Sequence, residues 1–340
     1  MAVRMKDIAR DLGVSVVTVS KVLRNHSDIG AQTRQRVLKR IKDLNYQPNF
    51  AARALVTGRT YTVGLVVPDL VHPFFAQVAK GLSSALRKRG YSLILASSEE
   101  DPELEAEEIG RLLARRLDAM VIASAQRTVE SFRRIEEQKI PYVLVDRQFA
   151  GLPANFVGVN DETIGEMATE HLIAAGCRRI AHIRGPQVST AFGRLEGFRR
   201  TLARHNLGPL PHHIPDAMAG DDDSEARGRA AMRQLMKLRP RPDGVFCYND
   251  PAAMGAMNAI LEAGLRIPED IAVIGCGNVH YDASLRVPLS SVDQQSAAIG
   301  ERAAKLALSL IESKTASRPR SIILEPKLVA RASTQRKPAA

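Results

Sequence analysis

The stretch Gly13-Val14-Ser15-Val16-Val17-Thr18-Val19-Ser20-Lys21-Val22-Leu23 sets a glycine turn between two short amphipathic segments. Upstream, Met5 to Leu12 brings Ile8, Ala9 and Leu12 to one helical face, and Gly13 supplies a backbone able to take the positive φ of a tight turn. Ser15 stands where it can cap a second helix, with Val19, Val22 and Leu23 turned inward. Thr33 to Leu44 repeats the pattern through Val37, Ile41 and Leu44, while Arg34, Arg36, Lys39, Arg40 and Lys42 stay wet. Three helices sharing one small core follow. The middle one presents small residues and Lys21 outward, an arrangement suited to reading DNA.

Val16 and Val17 are the informative pair, because both cannot face inward beside Val19, Val22 and Leu23 without making the helix apolar nearly all round. Either one of them completes the core, or they lie exposed at the helix start, where apolar side chains can meet thymine methyls in the major groove. Lys21 suits a guanine edge or a phosphate. Charge agrees with this placement. Residues 1–60 hold 12 Lys and Arg against 4 Asp and Glu, a net of +8 out of +11 for the whole chain, so the remaining 280 residues carry only +3. Clustered cations gain from counterion release on a duplex, whereas a merely solubilising basic segment needs no helical pattern.

At 340 residues with 45% hydrophobic content, the chain can bury two or three domains. Cys177, Cys247 and Cys276 are too widely spaced for a zinc or redox pair, and no metal or cofactor is expected. Met1 to Asp7 has no apolar signal core, and the apolar runs are too short to cross a bilayer. A soluble, cytoplasmic protein is expected.

The N-terminal sixty residues resemble the DNA-binding head of the LacI/GalR family of bacterial transcriptional regulators. The matching pieces are Lys6-Asp7-Ile8-Ala9, Gly13-Val14-Ser15, Thr18 to Leu23, Thr33-Arg34, Leu44-Asn45-Tyr46-Gln47-Pro48-Asn49, and Ala52-Arg53-Ala54-Leu55. Pro48 and Asn49 start a stretch, Phe50 to Val56, too short to be a stable helix alone. The resemblance implies that two such hinge helices, about 49–56 in each subunit, pair over the operator and insert Leu55 into the minor groove, kinking the DNA. It further implies DNA contacts from Ser15, Val16, Val17, Thr18, Ser20, Lys21, Tyr46, Asn49, Ala52 and Leu55. Packing of Leu55 against the following domain is the structural alternative.

From Tyr61 onward short apolar strands alternate with amphipathic helices. The strands are expected at Tyr61–Val67, Tyr91–Ala96, Ala119–Ala123, Tyr142–Val145, Ile180–Ile183, Gly244–Cys247 and Ile271–Gly275, with helices such as Phe74–Arg89, Glu103–Arg116, Ile164–Ala175 and Ala252–Ala263 between them. Alternation of this kind implies parallel sheets covered on both faces. Residues 61–335 resemble the two-lobed, periplasmic-binding-protein-like effector domain of the same family, through Val66-Val67-Pro68-Asp69, His72-Pro73-Phe74-Phe75, Arg194 to Phe198, Asn249-Asp250 and Ser291 to Gln294. The fold expected is an all-α helix-turn-helix head (1–60), then an α/β body (61–335). Its lobes are expected at 61–158 plus 290–324 and at 159–289 plus 325–335.

Ligands of open α/β sheets bind beyond the carboxyl ends of the strands, and two facing lobes make a cleft that can close. Phe74, Asp146, Arg194, Asn249, Asp250 and Gln294 are the effector-binding candidates, Arg194 as a fork for hydroxyls or a carboxylate. His72 stands where the family pattern usually has Asn, as a ligand contact or a helix cap. One departure matters more. After Val273-Ile274-Gly275 the family usually shows an aromatic residue and an Asp for sugar hydroxyls, but here Cys276-Gly277-Asn278 follows. Either Asn278 substitutes or the ligand lacks hydroxyls there. The tail from Arg331 holds no leucine heptad, so a dimer is expected rather than a coiled-coil tetramer. Asp221-Asp222-Asp223 reads as a solvated loop, and His212-His213 lacks metal-ligand spacing.

The expected function is a homodimeric repressor of a near-palindromic operator, controlled by a small, sugar-like metabolite. A transporter's solute-binding protein would share the body but needs an export signal and no basic head. An enzyme would need a nucleophile elbow, phosphate loop or dinucleotide glycine set, none of which occurs. Leu55→Ala should reduce DNA bending and specific affinity while leaving effector affinity intact. Bend angles from circular-permutation gel shifts check this, and an unchanged bend would refute the hinge assignment.

Overall fold

A computed structural model describes residues 3–23, 26–46, 54, 57–126, 128–149, 151–208, 224–313 and 318–336, and falls into two units, Met1–Thr60 and Tyr61–Ala340. Most of the expected hinge helix, including Asn49, Ala52 and Leu55, lies outside the described residues, as do His212, His213 and Asp221 to Asp223.

The first unit holds α1 (Met5–Leu12), α2 (Val16–Leu23) and α3 (Ala31–Asp43). Ile8, Ala9, Val19, Val22, Val37 and Tyr46 close its core. Gly13 ends α1 at φ +64°, and the Ser15 hydroxyl accepts the Thr18 N–H at 3.0 Å, capping α2. Two of the arginines expected to stay wet do so and also tie α3 to α1. Arg36 donates to the Leu12 carbonyl at 3.1 Å, satisfying a helix-end acceptor, and Arg40 pairs with Asp11.

In the second unit, β1 (Thr62–Val67), β2 (Ser92–Ser97), β3 (Ala119–Ile122), β4 (Tyr142–Val145), β5 (Asn155–Val159) and β10 (Ser321–Leu324) form a parallel sheet in the order β10-β5-β4-β3-β1-β2. The other sheet, β11-β9-β8-β7-β6, is built from β6 (Ile180–Ile183), β7 (Gly244–Cys247), β8 (Ala272–Cys276), β9 (Ser290–Asp293) and β11 (Lys327–Val329). The alternation of strands and helices predicts parallel pairing, and only the edge strand β11 departs from it, running antiparallel to β9. The strand ranges agree with expectation to within a residue for the apolar runs. Sequence reading passes over β5, β9, β10 and β11, whose short or serine-bearing stretches carry no continuous apolar signal.

The lobe boundary expected at residue 290 is corrected. Ser290–Asp293 pairs with β8 and β11 in the second lobe, and the chain returns to the first lobe only at Gln294 and Gln295. Gln295 takes φ +56°, its N–H held by Asp293 at 2.6 Å and its side chain donating to the Glu325 carbonyl. The second and third crossovers are thereby tied together. The first crossover follows β5, where Asn160 caps α7 (Asp161–Ala174).

Helices cover the sheets in pairs that touch backbone to backbone. A Cβ at Gly81 of α4 (Pro73–Arg87) would stand 2.2 Å from the Ala297 carbonyl of α11 (Ser296–Glu312), and one at Gly300 would stand 2.1 Å from that of Val78. Gly165 of α7 and Gly197 of α8 (Ser189–Arg204) repeat this crossing, as do Gly228 of α9 (Ser224–Leu235) and Gly255 of α10 (Asp250–Glu262). The remaining helices are α5 (Pro102–Ala114) and α6 (Glu130–Glu137). Among the described residues no helix is long and apolar enough to cross a membrane.

His182 of β6 is fully buried, stacked on Phe246 at 4.5 Å. Its Nδ1–H donates to the Phe246 carbonyl at 3.0 Å, while Nε2 has no hydrogen-bond partner among the described residues. Burial pushes its pKa down to about 3. An imidazole neutral when folded but protonatable when unfolded contributes stability that is present above pH 6.5 and lost as pH falls, roughly 2 kcal/mol at pH 5. His182→Phe keeps the stack and removes the titration. Urea midpoints between pH 7 and 5 should fall less steeply in the variant, and parallel slopes would refute a neutral buried ring.

Candidate functional sites

The head offers its chemistry at the start of α2. Val16 and Val17 are 42% and 63% exposed, so neither completes the core, and Val19 and Val22 fill that role. Thr18 and Ser20 are half-buried on the same helix, and the Ser15 hydroxyl is engaged with Thr18. Tyr46, expected among the DNA contacts, is instead buried in the head core, where burial raises its pKa. Lys21 is not a free cation: its ammonium pairs with Asp28, and this hydrogen bond holds the Asp28 carboxyl below its ordinary pKa. Both side chains are exposed, so the pair is weak and a phosphate or guanine edge can exchange for it.

In the body, the carboxyl ends of the strands converge on a charged cleft. Arg194 of α8 is 2% exposed, a position costly for a guanidinium unless every face is satisfied. Its Nε donates to Asp161 Oδ1 at 3.0 Å, its Nη1 to the Tyr248 carbonyl at 2.6 Å, and its plane lies 4.5 Å over the Tyr248 ring. Asp161 starts α7 one turn before Gly165, and Arg194 precedes Gly197 by three residues, so the glycine crossing of α7 and α8 brings the pair together. The Tyr248 hydroxyl meets Thr190 at 2.8 Å.

The first-lobe wall is set by Asp146, buried just after β4 at φ +64°. Burial raises its pKa, opposed by Arg147 and Arg194. Arg147 is itself buried, gripping Glu100 with two bonds of 2.8 and 2.6 Å and the Ser124 carbonyl at 3.1 Å. Gln294, at the second crossover, buries its amide beside the Asp146 carboxylate and acts to lower that group's pKa, although Nε2 meets no acceptor at full hydrogen-bond geometry among the described residues. That nitrogen is a donor available to an acceptor atom. Among the described residues, two hydrogen bonds span the lobes across the cleft. The Gln148 N–H donates to Ser189 Oγ at 3.0 Å, and Asn249, capping α10, sets its Nδ2 3.0 Å from Nε2 of His72, which caps α4.

Of the effector candidates, Asp146, Arg194, Asn249 and Gln294 gather at this cleft. Phe74 is buried edge-on against Phe75 rather than offering an open face. Asp250 turns inward: it is fully buried, accepting from Ser291 Oγ at 2.7 Å and the Val279 N–H at 3.2 Å, with Asp282 as its neighbour. It therefore serves the floor of the second lobe rather than the cleft. Gly277 lies directly on that carboxylate. Its φ is +134°, and a Cβ there would stand 2.9 Å from Asp250 Oδ2, so the missing aspartate has no unstrained place in this backbone. Asn278 is committed to Arg331 Nη2 at 2.6 Å and to Asp293 at 3.3 Å. Sequence reading missed Arg147, Asp161 and Tyr248. All three follow strand ends, at Val145, Val159 and Cys247, which is the signal that could have marked them. Among the described residues no cluster of three His, Cys, Asp or Glu side chains could hold a metal.

A family model described as bacterial regulatory proteins, lacI family, matches residues 4–49, and one described as periplasmic binding proteins and sugar binding domain of LacI family matches residues 60–332. The HTH-type transcriptional repressor PurR of Mannheimia succiniciproducens is 31% identical over 334 residues, covering 98% of both chains. The PurR of Aliivibrio fischeri strain MJ11 is 32% identical over 332 residues, covering 97% of each. Among solved structures, the Lac repressor dimer bound to operator and the anti-inducer ONPF aligns with a TM-score of 0.85 at 26% identity, over 98% of this chain and 99% of that one. The CelR–cellobiose complex aligns at 0.74 and 30% identity, over 97% and 99%.

Lys21→Ala should weaken DNA binding and relax base preference at one position per half-site, whereas Asp28→Asn should strengthen binding by freeing the lysine. Fluorescence anisotropy against a selected site and its single-base variants tests both. Equal affinities in all three proteins would remove Lys21 from the interface.

Proposed function

This chain belongs to the LacI family of bacterial regulatory proteins, and we propose that it acts in the cytoplasm as a homodimeric repressor whose two heads grip the halves of a near-palindromic operator. It is a DNA-binding transcriptional regulator of that family. The observation that carries the operator reading is the exposure of Val16 and Val17 on a helix whose other valines are buried, since solvent gains nothing from two adjacent apolar side chains while a major groove lined with thymine methyls does. The net charge of +8 over residues 1–60 supplies the nonspecific part of the affinity. A transporter's solute-binding protein has no use for such a head, and that alternative is set aside. The two PurR relatives and the Lac repressor are repressors by name, and CelR is a transcriptional regulator by name.

The effector in this reading is a small polar metabolite held between the lobes by Arg194, Asp146, Asn249 and Gln294. The Gln294 amide nitrogen, beside the Asp146 carboxylate, can also donate to an acceptor on the ligand. Gly277 argues against the carboxylate-to-hydroxyl contact usual for a monosaccharide, because Asp250 and the backbone φ leave no room for that side chain. A ligand changes operator affinity only through its different affinities for the two lobe arrangements. The hinge at 49–56 would carry that difference to the heads, and Asn49, Ala52 and Leu55 remain its proposed DNA contacts.

Selection of genomic fragments by the purified protein at two salt concentrations tests this reading. The expected result is a small set of near-palindromic sites whose affinity falls about 10³-fold or more between 50 and 200 mM salt, as for a protein making several phosphate contacts. Genes beside those sites would supply the metabolites to assay next, and the direction of their effect separates an inducer from a co-repressor. Binding without sequence preference at either salt would overturn the proposal.

A further inference from the structure

The contact between His72 and Asn249 crosses the cleft, and its hydrogen-bond arithmetic does not close. Asn249 Oδ1 accepts the Ala252 N–H at 2.9 Å as the cap of α10, which fixes the amide and turns Nδ2 toward His72 Nε2 at 3.0 Å and Ser224 Oγ at 3.3 Å. An amide nitrogen only donates, so Nε2 must present a lone pair. On the other side of the ring, Nδ1 stands 3.3 Å from the Phe74 N–H at the start of α4. That group is also a donor. A neutral imidazole offers one lone-pair nitrogen, and it cannot accept at both. An imidazolium would accept at neither, and the ring is neutral: burial pushes its pKa down to about 4, with Arg147 and Arg194 adding to the effect and Asp69 and Glu100 opposing it.

Two demands thus compete for one lone pair, and they lie on different lobes. With the proton on Nδ1 the ring joins the lobes and leaves the Phe74 N–H uncapped. With the proton on Nε2 the ring caps α4 and faces the Asn249 amide with a second N–H, which repels it. The distances favour the first state, 3.0 Å against 3.3 Å.

We propose that His72 is a tautomeric latch on the cleft: its Nδ1–H form hydrogen-bonds Asn249 and holds the lobes together, its Nε2–H form releases them, and a ligand between the lobes takes over the Asn249 amide from the ring with an acceptor atom of its own. The proton passes between the ring nitrogens through water, so no other group changes charge. The ligand step rests on the cleft being the effector site. The latch itself does not, and it makes His72 a positioning residue for closure in place of the asparagine usual in the family.

The test uses the full-length protein with ¹⁵N-labelled histidine and no effector. His72→Asn identifies the His72 signals by their loss. It also keeps a capping oxygen for α4 while being too short to reach Asn249. At pH 7 the wild type should show an unprotonated Nε2. Asn249→Asp keeps the cap of α10 and replaces the donor by an acceptor, so it should switch His72 to a protonated Nε2 with both demands met. Spin labels at Lys88→Cys and Glu269→Cys, in one protomer diluted with unlabelled protein, should report a longer or broader distance between lobes in His72→Asn and an unchanged one in Asn249→Asp. A protonated Nε2 in the wild type, or one distance distribution shared by wild type and His72→Asn, overturns the latch. Should His72→Asn fail to fold, His72→Gln identifies the signals in its place, and the tautomers of the wild type and Asn249→Asp decide. Neither measurement needs an effector, so failure to find one leaves the latch standing or falling on its own.

Discussion

A guanidinium buried at Arg194 is the constraint around which the second lobe is arranged. Such a group is tolerated only with its donors matched, and Asp161, the Tyr248 carbonyl and the Tyr248 ring supply three contacts from two distant segments. Bringing those segments together requires α7 and α8 to cross at backbone contact, which Gly165 and Gly197 permit. The same side chain then faces Asp146 and Arg147 of the first lobe closely enough to shift the Asp146 carboxyl. Fold and site are here one problem, since the helix crossing that closes the core also aims the cation.

Motion between the lobes is limited by few elements. The chain passes between them at Asn160, at Gln294 and Gln295, and at Glu325, and the last two passages are tied by the Gln295 side chain. Short passages held by one or two hydrogen bonds bend at low cost, whereas the packed sheets on either side do not. Closure is therefore governed by whatever spans the cleft. The Gln148–Ser189 and His72–Asn249 bonds are the protein's own contribution, and any ligand adds to them or replaces them.

The head solves a different problem, that of exposing apolar side chains without losing its fold. Its core rests on a handful of residues, and the arginines of α3 supplement it by satisfying the end of α1 and pairing with Asp11. That leaves Val16 and Val17 free of structural duty. Lys21 is kept in a solvent-exposed pair with Asp28, so the cation is held in place at little energetic cost and can be given up to a stronger polyanion.

The sequence by itself determined the three-helix head, the alternation of strands and helices, and the family, because each rests on local periodicity: apolar residues every three or four positions around Gly13, and apolar runs of four to six in the body. It also marked Asn249 just after the run that ends at Cys247, and Arg194 and Gln294 through the family resemblance. Only the tertiary structure decided which neighbour each polar group faces. Asp250 and Asn249 are adjacent in sequence, yet one turns into the lobe beneath Gly277 and the other into the cleft, since a helix start sends successive side chains in different directions. Ser290–Asp293 belongs to the second lobe because its partner strands, far away in sequence, lie there. Tyr46 is in the core and Lys21 in an ion pair for the same reason: burial and pairing are properties of the space around a residue, and periodicity along the chain carries no record of distant partners.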